Sequence, residues 1–213
     1  MRSYFGPQQW WPAQTPFEVA VGAILTQNTS WGNASRAIDA LKSRRLLDPP
    51  KIAAIPVRRL ASVIRSCGYF NQKARRLKQF VRFLLKHYDG KMSSMRRGRV
   101  ETLRTQLLGL WGIGPETADS ILLYALEKPR FVVDAYTRRI LARHSLIPWE
   151  AAYQEIQDLF EGRLPRRTAL FNDYHAQFVA LGKHFCHRQF PKCGKCPIRK
   201  VGRLRLEPGV LSR

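Results

Sequence analysis

The apolar residues of this chain recur at the spacing of a helix and nowhere alternate over a run long enough to build a sheet. Between Gln72 and Tyr88, Ala74, Leu77, Val81, Leu84 and Leu85 fall three and four apart, with Lys73, Arg75, Arg76, Lys78, Arg82 and Lys86 between them. That pattern predicts an amphipathic helix with a basic outer side. Thr15-Pro16-Phe17-Glu18 offers a Thr cap, Pro at the first helical position and Glu in the first turn, and so opens a helix reaching about Gln27. Further helices are expected from Ser30 or Asn33 to Leu41, at 56–64, from Val100 to Leu110, from Pro115 to Ala125, and at roughly 134–144, 148–161 and 171–185, with Pro49-Pro50 as a break. The expectation is an all-α chain of about ten helices, without internal repeats.

The longest apolar stretch, Val19 to Leu25, is far short of the roughly 20 residues that cross a bilayer. No membrane contact is expected, and a start lacking the signal-peptide pattern points to the cytoplasm. The net charge of +22 is concentrated in two places. Residues 42–104 carry 18 Lys and Arg against 3 Asp and Glu, and 183–213 carry 9 against 1, while the rest is nearly balanced. Basic blocks on a chain with a real core point to a polyanion, because phosphate contacts release condensed counterions. Nucleic acid is the expected partner; a solvated basic face or an anionic membrane surface is the alternative.

Leu110-Trp111-Gly112-Ile113-Gly114-Pro115 lies between two helical patterns. Its Gly-x-Gly lets the backbone turn sharply and present N–H groups to an anion at the positive end of the next helix, although a plain turn is the ordinary reading. One helix later, Phe131-Val132-Val133-Asp134 feeds an aspartate into a helix start. There Asp134 can serve as an N-cap and stay ionised in the helix dipole.

From about Thr15 to Cys196 the chain resembles the helix-hairpin-helix (HhH-GPD) DNA glycosylases of the endonuclease III superfamily. The resemblance rests on Ala23-Ile24-Leu25-Thr26-Gln27-Asn28-Thr29, on Gly68-Tyr69-Phe70-Asn71-Gln72-Lys73-Ala74, on the hairpin with Val133-Asp134, and on the C-terminal cysteines. It implies two helical lobes flanking a DNA-binding cleft: 28–133 as a central lobe with the hairpin at 110–115, and 1–27 plus 134–213 as the other, with a cysteine loop at 186–202. It also implies phosphate binding at Leu110, Gly112, Ile113 and Gly114, with Lys73 nearby, a catalytic Asp134, Gln27 against the DNA where a base has left, and Tyr69 as a wedge. Tyr69 and Phe70 can equally close a turn against the core.

Members that also cut the backbone carry a lysine two residues after the second hairpin glycine. Here that residue is Glu116, with no lysine within ten residues on either side. A carboxylate forms no Schiff base, so base removal without lyase activity is expected. Glu116 is otherwise a first-turn acid in the helix dipole. Trp10, Trp11 and Trp31 suit core packing, or a pocket in which a cationic methylated purine stacks on aromatic rings. With Gln27-Asn28-Thr29-Ser30-Trp31 they look most like the branch that releases 3-methyladenine. Removal of adenine or thymine from mismatches, and a non-catalytic DNA-binding module, are the alternatives. The expected partner is double-stranded DNA with a damaged base, bound by a monomer.

Three of the four cysteines crowd near the C-terminus, which suggests metal rather than cross-links. Cys186, Cys193 and Cys196 reproduce three quarters of the family's iron–sulfur motif, but its fourth position is Gly202. A [4Fe-4S] cluster with another fourth ligand, zinc with His184 or His187, and no metal all stay open.

Overall fold

The computed structural model describes residues 1–8 and 11–205, among which there are twelve helices and no strand. In chain order they are α1 (Arg2–Phe5), α2 (Pro16–Leu25), α3 (Trp31–Ser43), α4 (Pro49–Ala54), α5 (Val57–Val63), α6 (Phe70–Tyr88), α7 (Met92–Arg96), α8 (Val100–Leu108), α9 (Pro115–Ser120), α10 (Ala135–Arg143), α11 (Tyr153–Glu161) and α12 (Thr168–His184). A π-helical turn, Ile121–Ala125, continues α9. The all-α expectation holds. No helix is long and apolar enough to cross a membrane among the described residues.

Local chemistry accounts for most helix starts. Thr15, Ser30 and Asp48 each accept a hydrogen bond from the third residue of the helix they open. Pro49-Pro50, expected to break the chain, instead begins α4, because proline at the first helical positions loses no hydrogen bond and Asp48 caps behind it. α11 starts later than expected, at Tyr153, where the Glu155 carboxylate accepts from the Ala152 amide.

The chain divides into two compact units, Trp11–Lys128 and Met1–Trp10 with Pro129–Arg213. These units divide the chain at other places than the expected 27/28 and 133/134. α2 belongs with the hairpin because every residue from Phe17 to Leu25 is buried in the core of the first unit. Full burial of Ile24 and Leu25 alone contributes about 1.5–3 kcal/mol each. Residues 129–133 belong to the other unit because Phe131 stacks on Phe160, with centroids 4.0 Å apart and planes 9° from parallel. In the first unit α6 carries α4 and α5, and α2 packs on α3 and the π turn; in the second, α10 packs on α12.

Candidate nucleic-acid interface and catalytic aspartate

The hairpin unit presents a turn that is anchored and exposed at alternate residues. Ile113 is buried and its amide donates to the Leu110 carbonyl, whereas Trp111, Gly114 and Pro115 are exposed. Gly112 has φ +80°, a conformation that side-chain-bearing residues seldom adopt. Gly114 caps α9, whose first i→i−4 hydrogen bond is Ala118 to Gly114, so the amides before it point out of the helix end beside the turn.

Gln27 reaches this hairpin. Its Nε2 donates to the Gly112 carbonyl at 2.9 Å and to Thr117 Oγ1 at 2.8 Å, and its Oε1 accepts from Arg76 at 2.6 Å. Arg76 also lies over the Trp111 ring, 5.6 Å from its centroid. Tyr69 stands 64% exposed in the left-handed conformation at the head of α6, open to solvent rather than packed on the core.

Lys73 does not fit the expected phosphate contact. It is fully buried, and its Nζ donates to the carbonyls of Leu25 at 2.9 Å and Cys67 at 2.7 Å. Burial lowers its pKa, an effect that Cys67 opposes and Arg76 reinforces. Lys78 also turns inward, donating to the Ile55 carbonyl. The basic outer side of α6 is carried instead by exposed Arg75, Arg82 and Lys86.

Trp11 and Trp31 meet edge to face with centroids 5.6 Å apart, and Trp11 lies tilted on Tyr124 at 5.0 Å. Gly22 leaves room for the Trp11 ring; a Cβ there would sit 3.2 Å from the indole nitrogen. Trp11 holds a positive φ of 75°, and its buried Nε1 has no hydrogen-bond partner among the described residues. All three rings are partly exposed. Sequence reasoning missed Tyr124. Glu116 is exposed in the first turn of α9. Trp10, also expected to contact the base, lies outside the described residues.

In the other unit Asp134 caps α10, its Oδ1 accepting from the Thr137 amide at 2.7 Å. Its Oδ2 lies 3.4 Å from Nε2 of His175, a buried residue of α12 that the sequence analysis did not single out. Burial opposes the carboxylate charge, but His175 and the Thr137 hydrogen bonds outweigh it and hold the pKa below the usual range. Asp134 is therefore ionised at neutral pH. The approach to it is fixed from below. Arg130 donates to Glu161 at 3.1 Å and to Gln157 at 2.8 Å, the Phe131 amide donates to Glu161 at 2.8 Å, and Gln157 Nε2 donates to the Phe131 carbonyl.

Cys186, Cys193 and Cys196 line one recess with Arg143, His144, Phe185, Arg199 and Leu204. All three are free thiols; burial pushes those of Cys193 and Cys196 up, with Cys186 adding to both. Among the described residues no three His, Cys, Asp or Glu side chains are arranged to hold a metal ion, and neither His184 nor His187 lines the recess. Position 202 cannot supply a fourth thiolate. Gly202 has φ +65°, and a Cβ there would run into the His144 carbonyl oxygen. The surrounding chain is tied to the end of α10, with Val201 O against His144 Nδ1 at 2.5 Å and Arg203 O accepting from Ser145 at 2.7 Å. The donor set does not fit a four-thiolate cluster.

A glycine turn between two helices, followed by a carboxylate that caps the start of α10, falls where the family signature lies. The chain belongs to the HhH-GPD superfamily of base excision DNA repair proteins, whose signature it matches over residues 21–166, and it is a DNA glycosylase of that superfamily. It is similar to the protein named "Putative DNA repair glycosylase MJ1434" of Methanocaldococcus jannaschii, at 46% identity over 92% of this chain and 90% of that one. Among solved structures it resembles the Helicobacter pylori 3-methyladenine DNA glycosylase bound to 1,N6-ethenoadenine, with TM-score 0.71, 30% identity, and coverage of 82% and 87%. It shares its fold with an endonuclease III trapped in a covalent DNA intermediate, with TM-score 0.80 and 22% identity over 94% of this chain and 89% of that one.

Proposed function

We propose that this chain is a monofunctional glycosylase that hydrolyses the N-glycosidic bond of an alkylated purine such as 3-methyladenine, flipped out of double-stranded DNA. The observation that carries this reading is Asp134, a carboxylate kept ionised by His175 and Thr137. As the C1′–N bond breaks, its electron pair leaves with the base and positive charge grows on the sugar. A fixed negative charge stabilises that state, and water then adds to C1′ and loses its proton to the carboxylate or to solvent. An alkylated purine already carries positive charge and departs as a neutral base, so a single carboxylate suffices.

Two further features support the substrate and the absence of lyase activity. Trp11, Trp31 and Tyr124 form an aromatic group able to stack a cationic ring. Glu116 stands where the lyase amine would be. The hairpin binds backbone phosphate, Gln27 and Tyr69 fill the space the base leaves, and the chain acts as a monomer. No step passes through the cysteines.

The test incubates methylated duplex DNA with the wild type and with Asp134→Asn, and identifies released bases by chromatography. Release of 3-methyladenine by the wild type alone, with no borohydride-trapped enzyme–DNA adduct, is the expected result. DNA binding without release would overturn the alkylpurine reading, and an adduct would overturn the monofunctional one.

A further inference from the structure

Arg76 belongs to a basic helix that also carries exposed arginines, yet its guanidinium is engaged by three other groups. NH1 donates to Gln27 Oε1 at 2.6 Å, NH2 donates to Gln72 Oε1 one helical turn back at 3.2 Å, and the plane lies over Trp111. Its Nε is buried with no hydrogen-bond partner among the described residues. The Gln27 amide is fixed by this arrangement. With a guanidinium on its oxygen, a flip would set NH2 against NH2, so Nε2 must face Gly112 and Thr117. Gly112 completes the set for a reason separate from turn formation. A Cβ at 112 would overlap the Arg76 side chain, lying 2.7 Å from its Cγ and Cδ and closer still to Nε.

We propose that Arg76 is a positioning residue that joins Gln27 to the hairpin as one rigid piece, and that Gly112 is glycine in part so that the Arg76 side chain can lie against the turn. The effect on DNA rests on the reading that Gln27 fills the space left by a departed base. Arg76 itself neutralises no phosphate in this arrangement, which separates it from Arg75 and Arg82 on the same helix.

The test uses the full chain and two duplexes, one intact and one holding a tetrahydrofuran abasic site that presents the vacated space without requiring turnover. Arg76→Ala and Gln27→Ala should each reduce the preference for the abasic duplex by roughly tenfold, and the double variant should lose no more than either alone, because contacting residues are not additive. The slope of log Kd against log salt should stay at the wild-type value, whereas loss of a phosphate contact lowers it by about 0.9. A second arm reads thermal unfolding. Gly112→Ala should lower Tm by roughly 4 °C, and adding Arg76→Ala should recover part of that loss by removing the overlap.

A reduced salt slope with equal weakening on both duplexes would overturn the proposal and make Arg76 a phosphate ligand. Multiplying effects of Arg76→Ala and Gln27→Ala would overturn it too, as would a double variant of Gly112 and Arg76 no more stable than Gly112→Ala. A wild type with no abasic preference would instead refute the role of Gln27 on DNA, and the thermal arm would still decide the packing of Arg76 against Gly112.

Discussion

Removing the Glu161 carboxylate should loosen the segment that delivers Asp134. In the native unit Glu161 is buried, accepts from the Arg130 guanidinium at 3.1 Å, and also accepts from the Phe131 amide at 2.8 Å. Glu161→Ala therefore removes a carboxylate that a buried guanidinium and a buried N–H both donate to. Breaking a buried pair from one side costs about 3–5 kcal/mol, and a lost backbone partner about 1–3; the two overlap because they share one carboxylate. About 4 kcal/mol is the expected loss, which for a chain of this size lowers Tm by roughly 8–16 °C. Replacing both partners, with Arg130→Met and Glu161→Leu together, removes the buried guanidinium along with the carboxylate and should recover at least half of the loss. Heat and urea unfolding followed by far-UV circular dichroism measure both variants. A Glu161→Ala loss under about 1.5 kcal/mol, or a double variant worse than the single one, would refute the reasoning.

Other perturbations follow from the same geometry. Gly202→Cys should add strain rather than a ligand, lowering Tm by a few degrees and leaving bound iron after anaerobic reconstitution equal to the wild-type value. Asp134 has a folded pKa below its unfolded value of about 3.9, so its contribution is complete above that value and is lost as pH falls through the folded pKa. Asp134→Asn, which keeps the cap but not the charge, should therefore lower Tm at neutral pH and flatten the profile below about pH 4, where the variant and the wild type converge. Lys73→Met should cost roughly 1–3 kcal/mol by stranding two buried carbonyls, while the salt slope of DNA binding stays unchanged; a shallower slope would restore Lys73 as a phosphate contact.

Local rules made much of this fold legible in the sequence. Thr15 and Asp134 cap helices as their residue types suggest, and the Gly-x-Gly turn falls where the helical periods stop. What escaped was set by contacts distant along the chain. His175 lies at helical spacing with Phe171 and Phe178 on a buried face, and Lys73 with Leu77, Phe80 and Leu84. In both cases the 3.6-residue period marked the inner side, and a polar residue type masked it. Tyr124 gave no such signal, because its meeting with Trp11 spans more than a hundred residues and a π-helical turn that no local pattern announces. The packing of Phe131 was hidden for a similar reason: its partners are on α11 and α12.

Asp134 takes its cap, its histidine and its buried supports from residues 129–175, whereas the hairpin takes its brace from residues 27–117. The hydrogen bonds named for each lie within one compact unit, so loss of the Asp134 carboxylate removes none of those that brace the hairpin. With the roles proposed for Asp134 and the hairpin, such a chain would still settle on DNA while mending nothing, and it would screen the lesion from intact copies. Alleles that alter Asp134 should then behave as dominant, and alleles that unfold the hairpin unit as recessive.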